Sequence, residues 1–426
     1  MVFTGFFDTL MVGKLGTDEL AAAGVSNSIY FFVAIFPLGV TMSYATIVGI
    51  LQGKNKTSSY YLLARDSFLT NIVLSIIACL VMYWFIFNFQ LFDQTNGVSE
   101  LAISYLMLLL WSLTPMMIFF FAKNICDGFG FTLAGMVVTL SALAINVFLN
   151  WVLIFGNLGF EAYGLDGAGY ATIISRIYLA VSMVAVLLIS KKIPIDSSTF
   201  FQSFFKKSRI YFYKKIIVLG FPTGLQYFFE IAAFAGAAIM AGWLGAQELA
   251  AHNLAITLAS LTYMFAGGIS AGSSICVAKA HGNDNMNNVK KYGINSHILG
   301  LVVMAFFAIL FLLFNRPLAA MFSEDSRVIM LGSNLLILAA IFQLGDGIQA
   351  VSVGVLRGIS DVKLPSLFVF VAYWVIAMPF GYWLANNTET SHFANGVEGI
   401  WIGLSVGLTL SAVVLSYRFY YLLRKS

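Results

Sequence analysis

Long runs of apolar residues alternate with short polar stretches along the whole chain. Reading each run from one polar break to the next gives twelve segments, at 1–13, 24–50, 66–89, 100–122, 132–155, 166–190, 216–242, 251–278, 293–315, 328–355, 364–386 and 397–422. An α-helix needs about 20 apolar residues to cross the hydrocarbon core of a bilayer. The pattern therefore predicts an all-α integral membrane protein with twelve transmembrane helices.

The first segment, residues 1–13, is shorter than a full span. It contains Asp8 and is followed at once by Lys14, whereas a secretory signal begins with a basic region and lacks such an acid. We therefore expect no cleaved signal peptide. We also expect this first helix to be incomplete at its start, because a full span would need several more residues.

The composition agrees with a membrane protein. Of the 426 residues, 60% are hydrophobic and only 10% are charged, whereas soluble domains carry about 25% charged residues. This excludes a disordered chain, a secreted disulfide scaffold and an ordinary cytosolic enzyme. The net charge of +4 is too small and too dispersed for a nucleic-acid partner, so membrane lipids are the expected surroundings.

The positions of the basic residues predict the orientation of the helices. Of the 23 Lys and Arg residues, 19 lie at the C-terminus or in connections that follow even-numbered segments, and 3 lie in the other connections. The remaining one, Arg176, lies inside the sixth segment, and no role follows from its position alone. Because connections rich in Lys and Arg stay in the cytoplasm, we expect both termini on the cytoplasmic side of the inner membrane.

The two halves of the chain resemble each other in sequence. Shifted by 229 residues, Met11–Gly53 aligns without a gap on Met240–Gly282, and a weaker match pairs Gly164–Gly167 with Gly396–Gly399. The shift covers six segments, so both halves should cross the membrane in the same direction. Parallel repeats with a cavity between them are typical of transporters. We expect an N-terminal six-helix bundle at 1–190 and a C-terminal six-helix bundle at 216–426.

The connection at 191–215 separates the two predicted bundles and mixes aromatic with basic residues. Its members include Phe200, Phe201, Phe204, Phe205, Tyr211, Lys206, Lys207 and Arg209. Such a mixture suits an amphipathic helix on the anionic cytoplasmic leaflet. A plain basic linker that sets the topology explains the composition equally well.

Three carboxylates lie well inside the apolar segments rather than near their ends, Asp8, Glu230 and Asp346. A charge near the bilayer centre costs about 2.5–3.5 kcal/mol on insertion scales, and such residues usually face a cavity or a partner. Uncompensated acids in a cavity bind cations or protons, although a protonated acid in helix packing is the alternative. Asp66, Asp127 and Asp166 lie near segment ends, where we expect interfacial solvation.

Amide side chains accompany the intramembrane acids. Gln226 lies one helical turn before Glu230, and Gln343 lies three residues before Asp346. Asn146 and Asn150 share one helix face, and their carbonyl oxygens can join Asp8 around a small cation such as Na⁺. Hydrogen bonding between helices is the alternative role of the asparagines. The sequence thus predicts two candidate cation sites, one in each half.

Several motifs resemble the multidrug and toxic compound extrusion (MATE) family. They are GFFDTLMVGKLGTDELAA from Gly5, LNWVLIFG from Leu149 and FQLGDGIQAVSVGVLRGISD from Phe342. The resemblance implies two six-helix bundles around a V-shaped cavity that alternates between membrane faces. It also implies export of organic cations driven by inward Na⁺ or H⁺.

The resemblance extends to the candidate site residues. Glu230 and Asp346 match acids of the NorM-type branch, whose C-terminal half carries a cation site, and Asp8, Asn146 and Asn150 match a cation-binding region of the N-terminal half. One position departs from the pattern, because Phe342 stands one turn before Asp346, where a tyrosine would offer an oxygen.

The leading hypothesis is therefore a secondary transporter, a cation-coupled antiporter of small-molecule organic cations that needs no cofactor beyond its coupling ion and works as a monomer. A flippase for lipid-linked precursors would need more cationic residues in its cavity. A membrane enzyme acting on lipids would need clustered His, Asp or Arg at one membrane face, and the sequence shows no such cluster. A channel is disfavoured by the two-fold repeat.

Overall fold

The computed structural model describes residues 2–92, 94–195, 197–205, 210–387 and 395–425, and no β-strand occurs within these ranges. The α-helices are α1 (Val2–Val12), α2 (Thr17–Gly53), α3 (Tyr60–Phe87), α4 (Asn96–Gly128), α5 (Thr132–Phe155), α6 (Gly164–Ile189), α7 (Ser197–Ser203), α8 (Ile210–Leu244), α9 (Ala246–Gly282), α10 (Met286–Ala320), α11 (Ser326–Gly358), α12 (Lys363–Phe370), α13 (Met378–Asn386) and α14 (Gly396–Lys425). A π-helical stretch, Val371–Ala377, joins α12 to α13 into one continuous helix.

The helices match the predicted membrane segments. Within the described residues, 11 helical segments are long and apolar enough to cross a membrane. The short helix α1, 11 residues long, corresponds to the predicted first segment. The predicted all-α integral membrane fold is confirmed. Several helices are longer than their apolar runs, because helical hydrogen bonding continues into polar turns that hydropathy does not include, as at Asp18 and Glu19 in the first turn of α2.

The internal repeat predicted from the sequence is present in the helix boundaries. Helices α2 and α9 both contain 37 residues, and both of their ends are related by the same shift of 229. Each is followed by a non-glycine residue with positive φ, Asn55 at 52° and Asp284 at 51°. Helices α4 and α11 both contain 33 residues. The duplicated sequence therefore folds into duplicated helices, down to the turn that ends them.

The chain separates into two compact units, residues 1–224 (unit 1) and residues 225–426 (unit 2). Each unit has its own hydrophobic core, built largely from α2 and α4 in unit 1 and from α9, α11 and α14 in unit 2. The bundle limits expected from the sequence, 1–190 and 216–426, remain a prediction, since α8 runs without a break through residue 224.

The connection at 191–215 contains the short helix α7, which packs on α3 of unit 1. The ring of Phe200 is buried and lies edge-on to Phe68, at 6.4 Å between ring centres. The Arg65 guanidinium donates a hydrogen bond of 2.5 Å to the carbonyl oxygen of Ser203. Lys206, Lys207 and Arg209 lie outside the described residues. This segment is therefore held against the unit over part of its length, and both interpretations of its composition stay open.

Candidate functional site

The three site residues predicted in the N-terminal half lie together in unit 1. Asp8 comes from α1, and Asn146 and Asn150 come from successive turns of α5. Asn150 Nδ2 donates to Asp8 Oδ1 at 2.5 Å and to Asn146 Oδ1 at 3.3 Å. Two further polar atoms, Asn146 Nδ2 and Asn150 Oδ1, are buried without a hydrogen-bond partner. The cluster thus combines a carboxylate with amide oxygens, the donor set that suits a small cation.

A cavity opens beside this cluster within unit 1. Its volume is about 60 Å³, room for about two water molecules. The residues that line it include Asp8, Asn146, Tyr30, Tyr105, Thr139, Thr172, Ser175 and Arg176. Most of the remaining wall is apolar, so the hydroxyl groups and the two opposite charges supply polar contacts at a few points of the cavity.

Arg176 lies in this cavity wall without an acidic partner. Its guanidinium donates a hydrogen bond of 2.5 Å to Ser112 Oγ and lies 4.4 Å from the ring centre of Tyr30. The described residues contain no ion pair between Arg176 and Asp8. Sequence reasoning left this arginine without a role, and the structure places it at the candidate site.

The acids predicted in the C-terminal half also belong to one cluster, in unit 2. Glu230 lies on α8 and Asp346 on α11, and both side chains are buried. They are close enough for their charges to interact. Gln349, one turn after Asp346, donates to Glu230 Oε1 at 3.2 Å and to the Tyr373 hydroxyl at 3.3 Å. Glutamine thus links a carboxylate on one helix to a hydroxyl on another.

The unit 2 acids have no cationic partner, because within the described ranges neither Glu230 nor Asp346 takes part in an ion pair. Both polar atoms of Gln343, one turn before Asp346, are buried and unpartnered. Gln226, one turn before Glu230, is also buried. The Glu230 carboxylate, the Gln349 amide and the Tyr373 hydroxyl are joined by hydrogen bonds, and an oxygen-rich group of this kind can hold a monovalent cation or a proton.

Tyr373 is the residue of this cluster that the sequence did not reveal. It lies in the π-helical stretch of an apolar segment, and no local pattern distinguishes it from a core tyrosine. Phe342 stands where a tyrosine would offer a hydroxyl oxygen. It is a packing residue, and its ring centre lies 5.5 Å from that of Trp401. The hydroxyl oxygen of the cluster therefore comes from a different helix.

Two acids expected to be solvated at segment ends are buried in ion pairs instead. Asp66 accepts from the adjacent Arg65 at 2.8 Å, and both side chains are almost completely buried. Asp127 accepts from Lys123 at 2.5 Å, one turn earlier on α4. The third, Asp166, accepts from Ser104 at 2.9 Å. Each of these acids thus has a basic or hydroxyl partner, although Asp127 Oδ1 is buried without one. Glu230 and Asp346 differ from Asp66 and Asp127 because neither forms an ion pair in the described residues.

Comparisons with known proteins agree with this architecture. The sequence profile of the MatE family matches residues 1–152 and 222–383. The multidrug resistance protein NorM of Aliivibrio fischeri is 31% identical over 420 residues, which cover 99% of this chain and 90% of that protein. The probable multidrug resistance protein NorM of Bacillus anthracis is 32% identical over 426 residues, covering 99% and 91%.

A solved structure shows the same fold. It is described as the outward-facing conformation of a multidrug resistance MATE family transporter of the MOP superfamily, and its TM-score is 0.88. The match covers 100% of this chain and 93% of that one at 19% sequence identity. The likeness therefore extends over both units.

Proposed function

The chain belongs to the MatE family, and from this premise we propose that it is an antiporter that exports organic-cation drugs and other toxic compounds in exchange for inward Na⁺ or H⁺. Relatives that match almost its full length are named multidrug resistance proteins. The chain is an integral membrane protein with 11 candidate spans in its described residues. An export function for small molecules follows from these similarities.

One observation carries the cation-coupled part of the proposal, the pair of buried acids Glu230 and Asp346 without a cationic partner in the described chain. A buried carboxylate without a partner is costly. The cost is offset when a cation or a proton occupies the site. The Asp8 cluster in unit 1 provides a second carboxylate with amide oxygens around it. Both units thus supply a site at which a coupling ion or a cationic drug neutralises an acid.

The proposed cycle follows from this neutralisation. An acid binds the coupling ion in one conformation and is neutralised by the drug cation, or by a proton, in another. Because linkage is reciprocal, the ion must weaken drug binding by the same factor by which the drug weakens ion binding. Alternating access then converts an inward ion gradient into outward drug movement. No covalent step is involved, so the protein acts as a transporter and not as an enzyme.

The orientation is part of the same proposal. The asymmetry of 19 against 3 basic residues between the two sets of connections supports cytoplasmic termini. We place the protein in the inner membrane as a monomer, with export directed out of the cytoplasm.

The proposal is tested with purified protein in liposomes loaded with tetraphenylphosphonium. A pH gradient and a Na⁺ gradient are imposed separately, each with the other ion equal on both sides, and movement of the organic cation is followed with a selective electrode. We expect one gradient to drive movement against the concentration of the cation. Liposomes containing the Glu230→Gln variant serve as the matched control. Movement that neither gradient accelerates would show that cation coupling is wrong.

A further inference from the structure

Asp8 and Arg176 carry opposite charges and line the same cavity of unit 1, yet each is bound to a neutral partner. The carboxylate accepts from Asn150, and the guanidinium donates to Ser112 and lies over the face of Tyr30. Opposite charges at low dielectric attract strongly. The two charges interact across the cavity without forming an ion pair, so a direct pair is a second arrangement open to the same two side chains.

The internal repeat carries these two charges in one unit only. Each helix of unit 1 is related to a helix of unit 2 by a constant shift in residue number. At these shifts, Asp8 corresponds to Ala237 and Arg176 corresponds to Leu408. The partner of the arginine, Ser112, corresponds to Phe342. The unit 2 cluster, whose two acids Glu230 and Asp346 lack a cationic partner in the described chain, thus has no counterpart of the arginine or of its anchor. Asp8 and Arg176 are therefore present together in unit 1 and absent together from the equivalent positions of unit 2.

We propose that Arg176 is a tethered counter-ion that competes with the transported cations for Asp8. This inference rests on the proposed cation antiport. In the present structure the guanidinium occupies its position on Ser112 and Tyr30, which leaves Asp8 free for a cation. When the cation has left, the guanidinium turns into the cavity and pairs with the carboxylate.

The geometry permits this exchange. Both side chains border one space of about 60 Å³, and the flexible stem of arginine lets its head cross such a space by rotamer changes. The guanidinium stays charged at any physiological pH. A hydrogen bond to a hydroxyl and a cation–π contact, which contributes about 0.5–2 kcal/mol, are weak enough to be exchanged for an ion pair.

The counter-ion has a consequence for transport. A resident competitor lowers the apparent affinity of Asp8 for any cation by the fraction of time that it occupies the carboxylate. The arginine also pairs with the Asp8 carboxylate while no transported cation is bound, so the carboxylate is not left buried without a partner. Cation release therefore becomes faster at the cost of weaker binding, and the arginine sets the balance between affinity and turnover.

The test measures binding of tetraphenylphosphonium to purified protein and its efflux from liposomes, in variants of opposite expected sign. Arg176→Gln removes the competitor. The variant protein should therefore bind tetraphenylphosphonium about ten-fold more tightly and transport it with a lower turnover. Ser112→Ala removes the anchor but keeps the charge, so the freed guanidinium should pair with Asp8 and weaken binding several-fold. A general loss of structure would weaken binding in both variants.

Two further variants show whether the arginine acts through Asp8. Arg176→Lys keeps a cation on a flexible stem and should restore much of the wild-type turnover. In an Asp8→Asn background, Arg176→Gln should no longer change cation binding, because the target of the competitor is gone.

The outcomes separate this inference from the proposed function. If the wild-type protein neither binds nor moves tetraphenylphosphonium, the proposed function fails. If the wild type is active but Ser112→Ala binds normally, or Arg176→Gln binds no more tightly, a mobile counter-ion is ruled out. A persisting effect of Arg176→Gln in the Asp8→Asn background would show that the arginine acts elsewhere.

Discussion

Units 1 and 2 are built from repeated helices, yet their polar clusters, which lie at equivalent locations, consist of different side chains. In unit 2 the polar cluster consists of Asp346, Gln349 and Tyr373 together with Glu230. The corresponding positions of the first three in unit 1 are apolar, namely Met116, Phe119 and Ala142, and all three line the unit 1 cavity. The candidate sites therefore occupy equivalent locations but use different positions in the repeat.

The reverse comparison gives the same result. The unit 1 residues Asp8, Asn146 and Asn150 correspond to Ala237, Ala377 and Gly381. The fold thus fixes where a polar cluster can form, and individual side chains fix which cluster it is. Unit 1 combines an acid with a nearby arginine, whereas unit 2 has two acids without one. We expect the two sites to differ in cation affinity, with the tighter site in unit 2.

The largest expected effect comes from removing an acid of unit 2. Glu230→Gln and Asp346→Asn keep the shape of the side chain and remove its charge, so each should abolish drug efflux while the protein remains folded in the membrane. Efflux of an organic dye from cells and expression level are measured together. The matched control is Glu398→Gln, a buried acid of the same unit that accepts from Asn334. Near-normal efflux in both cluster variants would make these acids structural.

The equivalent change in unit 1 is Asp8→Asn. It should also abolish efflux if both units couple, and it should leave ion-driven transport intact if unit 2 couples alone. Comparing this variant with Asp346→Asn at equal expression decides whether the two clusters share one cycle.

The sequence predicts that the two units cross the membrane in the same direction, and labelling can test this. Lys54 and Asn283 end α2 and α9 at equivalent positions, so a single cysteine at either should react with an impermeant maleimide only from the cytoplasm. A cysteine in the 191–215 connection should behave likewise. The background is a protein without its native Cys79, Cys126 and Cys276. Labelling of only one of the Lys54 and Asn283 positions in intact cells would overturn the parallel repeat, and labelling of both would overturn the cytoplasmic orientation.

A third comparison concerns packing. Trp401 in unit 2 is fully buried, whereas its counterpart Gly169 in unit 1 packs so closely that a Cβ would lie 2.5 Å from a carbon of Leu108. Trp401→Ala should lower the free energy of unfolding by about 3–5 kcal/mol by leaving a cavity. Gly169→Ala should lower it by about 1–3 kcal/mol through overpacking. Thermal unfolding in detergent measures both. Unchanged Tm in Trp401→Ala would contradict the packing described.

A smaller effect is expected from Tyr373→Phe. Losing one hydroxyl that accepts a hydrogen bond from Gln349 costs about 1 kcal/mol, which should weaken binding of the coupling ion about five-fold. Titration of purified protein with Na⁺, or with protons, measures the change. Tyr382→Phe, on the exposed surface of α13, is the control and should bind normally. Equal affinities for the two variants would remove Tyr373 from the cluster.

The smallest effect concerns the ion pair between Glu248 and Arg327, whose atoms lie 2.9 Å apart with the arginine largely exposed. Glu248→Gln should change the unfolding free energy by less than about 1 kcal/mol, and less at high salt. The unit 1 counterparts are Glu19 and Gly97, so Glu19→Gln loses no such pair and should have a smaller effect still. A larger loss in Glu19→Gln would show that the first turn of α2 depends on a contact other than this ion pair.

The sequence predicted the features that follow from long apolar runs, from the repeat, and from charged residues that are costly to bury in a membrane. Apolar runs locate helices because hydrocarbon requires them, and Asp8, Glu230 and Asp346 are conspicuous because a buried charge is expensive. Glycines and acids in register reveal the repeat. These signals can be read without knowledge of helix contacts, and the structure agrees on the helices, the repeat and the burial of the three acids.

The remaining features depend on contacts between helices. Tyr373 joins the unit 2 cluster because a π-helical turn orients it there, and nothing in its neighbourhood distinguishes it from other aromatic residues. Burial of Asp66 follows from its ion pair with Arg65, whose guanidinium also binds α7. The anchor of Arg176 lies 64 residues away along the chain. Such partnerships cannot be read from hydropathy.

The isolation of Trp401 gives this protein an intrinsic optical reporter. The other six tryptophans, Trp84, Trp111, Trp151, Trp243, Trp374 and Trp383, have exposed side chains, whereas Trp401 is 0% exposed and its indole donates to His252 at 3.2 Å. Brominated lipids or acrylamide should therefore quench the fluorescence of the six exposed tryptophans and leave the emission of Trp401 unchanged. The ring of Trp401 packs against Phe342, which lies one turn from Asp346. The remaining fluorescence therefore reports on the surroundings of the unit 2 cluster without an attached dye.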